Sequence, residues 1–226
     1  MRAPVRFAAL IPLLAGLGWA SVVAVGLARA DNAAFEASRE MGAWAAARMQ
    51  PERGTVDSVR ERLELAQRLS PADPTTQELL GILFAGRRDS AEYLSKGVVH
   101  FTHALQMRPA SPYTWANLAE VKYNQGDTGG VFELALGRAA ELGPSEPEVQ
   151  RMVANYGLAV WSEVTPPTRQ VIDRMVGAGV RRNPLEMLQI SERRGRLAVA
   201  CRHLVGTSRT PDPKWYPLCQ STEATQ

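Results

Sequence analysis

The sequence predicts an all-α protein: a short tetratricopeptide-like array of helical hairpins with flanking capping helices, preceded by one N-terminal transmembrane helix. Three observations carry that expectation. A nine-residue skeleton, Ala-x-x-[Leu/Met]-x-Pro-x-x-Pro, begins at Ala66, Ala104 and Ala139, at steps of 38 (104 − 66) and 35 (139 − 104) residues. No apolar/polar alternation of useful length marks a strand. Residues 7–28 carry no charge at all. The composition agrees, with 45% apolar and 22% charged residues in a chain of 226. A formal charge of +3 is too small to indicate nucleic acid, and no nucleic-acid-binding motif is present.

The N-terminus decides the compartment. Arg2 and Arg6 precede the run 7–28, which Arg29 and Asp31 end. As a helix this run spans roughly 33 Å, close to the hydrocarbon thickness of a bilayer. Ala28-Arg29-Ala30 satisfies a signal-peptidase pattern, so cleavage is the alternative. The run is longer than the usual ~7–15-residue signal core, which favours an uncleaved anchor. Either way, residues 1–6 belong on the cytoplasmic side and everything after Asp31 outside the cytoplasm.

Residues 31–55 read as a linking helix, alanine-rich over 33–49 and stopped by Pro51-Glu-Arg-Gly54. The repeats occupy 56–162. Val56, Val59, Leu63, Ala66 and Leu69 share one helical face. After the 71–74 turn, Asp73 is a good N-cap and Pro74 fits the first helical position. Ser111-Pro112, Thr165-Pro166 and Asn183-Pro184 give the same start signal.

Leu80-Gly81, Leu118-Ala119 and Val153-Ala154 fall in step, pairing a large apolar residue with a small one that admits a close neighbouring helix. Gly97-x3-Phe101-x2-Ala104-x4-Pro109 has tetratricopeptide spacing, and Trp115-x2-Leu118-Ala119 with Gly126-Asp127 continues the register. The next helix departs from it, because Thr128-Gly-Gly130 adds a residue and Phe132 and Leu136 replace the usual pair. About two and a half hairpins are few, so 163–219 is expected to cap them with helices at 165–178, 184–190 and 192–203, followed by a disordered tail, 220–226.

Cys201 and Cys219 are the only cysteines and, outside the cytoplasm, are expected to pair. Closing that loop is worth ~3 kcal/mol in the chain-entropy model. Their spacing matches no zinc site. His100 and His103 are three apart on one helix, but no acidic residue lies within a turn to complete a metal site. No metal or other cofactor is expected.

The first helices of the hairpins should line a groove, exposing Tyr113, Asn117, Glu120, Tyr123 and Asn124. Such residues could hold a peptide or a sugar, or form an ordinary polar helix face. From 169 to 209 the chain carries nine arginines, densest at Arg181-Arg182 and Arg193-Arg194-x-Arg196. They form a candidate basic patch for an anionic polymer or lipid headgroups, or a solvated surface. No phosphate loop, nucleophile elbow or metalloprotease motif occurs. Glu141, Glu146 and Glu148 read as capping and solubilising acids rather than a catalytic pair.

Ser111-Pro-Tyr-Thr-Trp115-Ala-Asn-Leu118, Lys122-Tyr123, Ala139-Ala-Glu-Leu-Gly-Pro144-x-Glu-Pro147-Glu-Val-Gln150 and Gly157-Leu-Ala-x-x-Trp161 resemble the VpsP-like exopolysaccharide-biosynthesis proteins. The late Gly195-Arg-Leu-Ala-x-x-Cys201, Trp215 and Cys219, and the single membrane segment, are similar as well. The resemblance implies a single-pass bacterial inner-membrane protein with its C-terminal domain in the periplasm. Its expected role is an accessory or scaffold beside an exopolysaccharide synthesis and export machine. Protein components of that machine, and an anionic polysaccharide, are the implied partners. The resemblance brings no catalytic residues. A polysaccharide-modifying enzyme and a general periplasmic tetratricopeptide-repeat assembly factor are the alternative readings.

Overall fold

A computed structural model describes the backbone at residues 4–49, 51–204 and 219, with side chains from residue 12 onward. The predicted tail 220–226, Trp215, Arg2 and Arg209 lie outside the described residues. Ten helices and no strand occur among those described. Residues up to Leu83 form one compact unit and residues from Phe84 a second. The boundary falls within the stretch 56–162.

In the first unit, α1 (Pro4–Ala47) is one uninterrupted helix. The anchor and the linking helix are therefore a single element. Arg29 and Asp31 end the apolar run without breaking the helix, because neither residue carries the backbone penalty of proline or glycine. Leu14, Trp19, Val22 and Val25 are all exposed, and α1 is long and apolar enough to cross a membrane. Past that stretch its face becomes small: Ala30, Ala33, Ala34 and Ala37 are buried. Against it packs α2 (Arg53–Leu69), whose Ala66 is buried among these alanines with Leu69 alongside; Val56, Val59 and Leu63 of α2 are buried as well. An Arg62–Glu40 ion pair joins the two helices. A face of alanines lets two helix backbones approach closely.

α3 (Pro74–Ala85) starts where Asp73 accepts the Thr75 and Thr76 N–H groups, each at 3.0 Å. In the second unit, α4 (Ala91–Met107) and α5 (Pro112–Asn124) begin at the caps Ser90 and Ser111. They are followed by α6 (Gly130–Leu142), α7 (Pro147–Ala159), α8 (Pro166–Arg182), α9 (Pro184–Arg193) and the short α10 (Leu197–Cys201). The helices α5, α7 and α9 pack in one row, with α6 and α8 behind them. Phe101, Phe132, Leu136, Val149, Leu158, Ile172 and Leu188 fill the core between the rows.

The three copies of the proline skeleton have one geometry. Ala66, Ala104 and Ala139 are buried, and each carbonyl accepts the N–H four residues on, from Ser70, Arg108 and Gly143, at 2.8, 2.8 and 2.9 Å. Each of those residues then accepts the N–H three residues later, from Asp73, Ser111 and Glu146. At the equivalent point of the next helix, the Trp115 indole N–H and the Gln150 amide donate to the carbonyls of Pro109 and Pro144, both at 2.8 Å. The prolines thus stop one helix, start the next and leave a carbonyl for a side chain to tie down.

The expected helix boundary at 178 is corrected. α8 runs on to Arg182, and its two glycines serve close approach rather than termination. A Cβ on Gly177 would lie 2.7 Å from the His203 ring, and one on Gly179 would lie 2.6 Å from Met187 Sδ. α9 likewise runs to Arg193, beyond the expected 190, and the expected helix 192–203 is reduced to 197–201. Gly195, at φ +65°, turns the chain between them. Cys201 and Cys219 are disulfide-bonded, with their Cα atoms 5.5 Å apart.

Candidate functional site

The row α5–α7–α9 carries the predicted groove residues, and most of them are already engaged. Glu120 accepts a hydrogen bond from Arg88 Nη2 at 2.6 Å and another from the Tyr156 hydroxyl. Tyr156 is only 8% exposed. Burial raises its pKa far above the ordinary tyrosine range; the Glu120 charge and hydrogen bond add to this, and Arg88 and Arg194 partly oppose it. It is therefore a donor at every physiological pH.

Tyr123 lies against Tyr156, ring centroids 5.2 Å apart and tilted. The Arg194 guanidinium stands over Tyr123 at 6.0 Å, while its Nε and Nη2 both donate to Asn155 Oδ1, at 3.0 and 2.9 Å. One chain of contacts thus crosses three helices: Arg88, Glu120, Tyr156, Tyr123, Arg194, Asn155. Bonds of this kind recur in the second unit between residues about one hairpin apart. Tyr113 donates to Glu146, 33 residues on, at 2.6 Å; Thr128 reaches Glu163 and Arg151 reaches Glu186, each 35 residues on.

The row therefore presents a fixed surface rather than a set of loose side chains. Asn117 is half-buried and has no hydrogen-bond partner among the described residues. Asn124 Nδ2 is buried without one. Arg88, still 62% exposed, gives Glu120 one of its five N–H donors. Asn117 and Arg88 thus retain capacity to bind, whereas the Asn124 amide nitrogen is shut away from solvent.

Sequence reasoning missed Arg88, Asn155 and Tyr156, because their partners lie one hairpin away. The repeat step was the available signal. Glu146 corrects another expectation: at the N-cap of α7 its side chain makes no cap bond and holds Tyr113 instead. Glu141 pairs with Arg138, and Glu148 with Arg151. Thr165 also leaves its own helix uncapped. The start of α8 is capped from α6 by Glu133, which accepts the Thr165 N–H and both the Thr165 and Thr168 hydroxyls.

The arginines do not gather into one patch. Arg181 and Arg182 end α8, while Arg193, Arg194 and Arg196 lie at the far end of α9, ~15 Å of helix away. Arg194 turns to Asn155, and Arg196 Nε is buried without a partner among the described residues. Arg181 instead lines an open cleft of about 500 Å³ between α6 and α8.

His100 stacks on Phe84, centroids 5.2 Å apart, and its pKa is lowered, first by burial and then by the charge of His103. Arg87 and Lys96 lie over the Tyr93 ring beside it. His100 is thus part of an aromatic cluster at the α3–α4 turn, and His103 acts on it only through its charge. No family model and no curated protein matches this chain.

Proposed function

We propose that this protein is a membrane-anchored scaffold facing the bacterial periplasm. Its tetratricopeptide-like hairpins would bind protein components of an exopolysaccharide synthesis and export machine, with the anionic polymer as a further partner. The observation that carries the binding role is the α5–α7–α9 row. There, the tilted contact of the Tyr123 and Tyr156 rings and the side-chain hydrogen bonds of Arg194 and Arg88 hold a fixed face on which Asn117 and Arg88 keep unused hydrogen-bonding capacity. Hydrogen bonds spaced one hairpin apart support the reading as an array in which each unit contacts its neighbours. The choice of machine rests on the sequence resemblance around 111–161. The anchor reading rests on the exposed apolar length of α1.

A photo-crosslinking residue placed at Asn117 in intact cells tests this proposal, with Val99, 51% exposed on α4, as the control position. A polysaccharide synthesis or export component should be captured from position 117 and not from 99, and deletion of the protein should lower exopolysaccharide yield. Capture of no such component, together with an unchanged yield, overturns the assignment.

A further inference from the structure

The cleft between α6 and α8 lies behind the row just described and is not part of it. Its floor is small and apolar, with Gly137, Ala140 and Ala178, flanked by Val171 and Met175. The apolar surface continues along α6 to Leu134, which is 55% exposed. In a helix, residues 134, 137 and 141 share one face, so Leu134 extends the floor of the cleft.

The rim is cationic. Arg174 and Arg181 both line the cleft, and both are exposed. Neither has a hydrogen-bond or ion-pair partner among the described residues. Seven positions apart on α8, they sit on one face with ~10.5 Å of helical rise between them. Glu141 is the one acid on the lining, and Arg138 of its own helix already pairs with it at 2.9 Å. The two guanidiniums are thus uncompensated beside an apolar trough.

We propose that the α6–α8 cleft is a docking site for an acidic amphipathic helix of a partner protein. Its apolar side chains would seat on Gly137, Ala140 and Ala178, and two carboxylates two helical turns apart would meet Arg174 and Arg181. Charge complementarity selects the acid, and the matching two-turn spacing selects a helix. The small floor residues let the partner's side chains sink close to the α6 and α8 backbones. An acidic polysaccharide would satisfy the arginines but leave the apolar floor unused. The proposal concerns a face distinct from the α5–α7–α9 row and does not depend on which machine the protein serves.

The test uses the full chain in detergent and a labelled synthetic helical peptide with glutamates seven positions apart beside a leucine stripe. Binding is followed by fluorescence anisotropy at low salt. The peptide should bind the native chain, and binding should fall at least tenfold in R174E/R181E, whose exposed positions leave the core untouched. Gly137→Leu gives an independent check: a Cβ there meets nothing within 4 Å, so the variant should fold while filling the trough. It too should weaken binding at least tenfold, with an unchanged circular dichroism spectrum and melting temperature. A lysine-for-glutamate peptide should not bind. Failure of the acidic peptide to bind, equal binding by R174E/R181E, or equally tight binding of alginate or unstructured polyglutamate overturns the proposal.

Discussion

Gly157 stands where α7 crosses α8, and a Cβ there would lie 2.6 Å from Ile172 Cγ1 and 2.8 Å from its Cδ1. Ile172 is fully buried, so it has nowhere to retreat. Two effects compete in Gly157→Ala. Helix propensity favours alanine by about 1 kcal/mol, whereas overpacking a filled core costs about 1–3 kcal/mol. The overlap should win, and Gly157→Ala should destabilise the chain by up to about 2 kcal/mol in denaturant titration. Ile172→Ala removes the three clashing atoms at its own cost of about 2–5 kcal/mol. In that background Gly157→Ala should become neutral or stabilising, and a double-mutant cycle reads the coupling directly. In sequence, the C-terminal helix is expected to end at 178, between Gly177 and Gly179, and Gly157 carries no packing signal. Only knowledge of what faces them reveals the packing role.

At the scale of the element, α8 depends on a carboxylate from α6. Burial raises the pKa of Glu133, but the hydrogen bonds from the Thr165 and Thr168 hydroxyls and the Thr165 N–H outweigh it, leaving the group below its ordinary value. A carboxyl depressed in the folded state stabilises the fold fully above its unfolded pKa of about 4.3. That contribution is lost as pH falls through the lower, folded value. Glu133→Gln should therefore cost about 1–2 kcal/mol at pH 7. The gap in melting temperature between native and variant should then close as the solution is acidified below pH ~4. The caps at Asp73, Ser111 and Asn183 were legible in the sequence because donor and acceptor lie within three residues of each other. The Glu133 cap was not, since its partners lie 32 and 35 residues away. The candidate face behaves alike: its helix register could be read from residues 113–124. That Glu120 and Tyr123 are held by Arg88 and Arg194 could not, because those arginines arrive from the α3–α4 turn and the end of α9.

For the molecule as a whole, α1 is two things at once, an apolar rod and the packing partner of α2. Deletion of residues 1–28 should leave a helical protein that no longer partitions with membranes, its α2 amides still protected from hydrogen exchange. Deletion through residue 50 also removes Ala30, Ala33, Ala34 and Ala37, exposing Ala66, which is 0% exposed in the intact chain. A 17-residue helix is marginal in water on its own, so α2 should then lose its protection. Protection of α2 in the longer deletion would show that the hairpin does not depend on α1. Because α1 continues unbroken from the apolar stretch into this hairpin, no joint separates them. Set in a bilayer, the 30–47 segment would behave as a lever of about 27 Å. A tilt of about 20°, ordinary for a spanning helix, would swing its distal end sideways by about 9 Å. Bilayer thickness and lateral pressure would thereby set the heading of the first hairpin, so that the lipid itself helps to aim it.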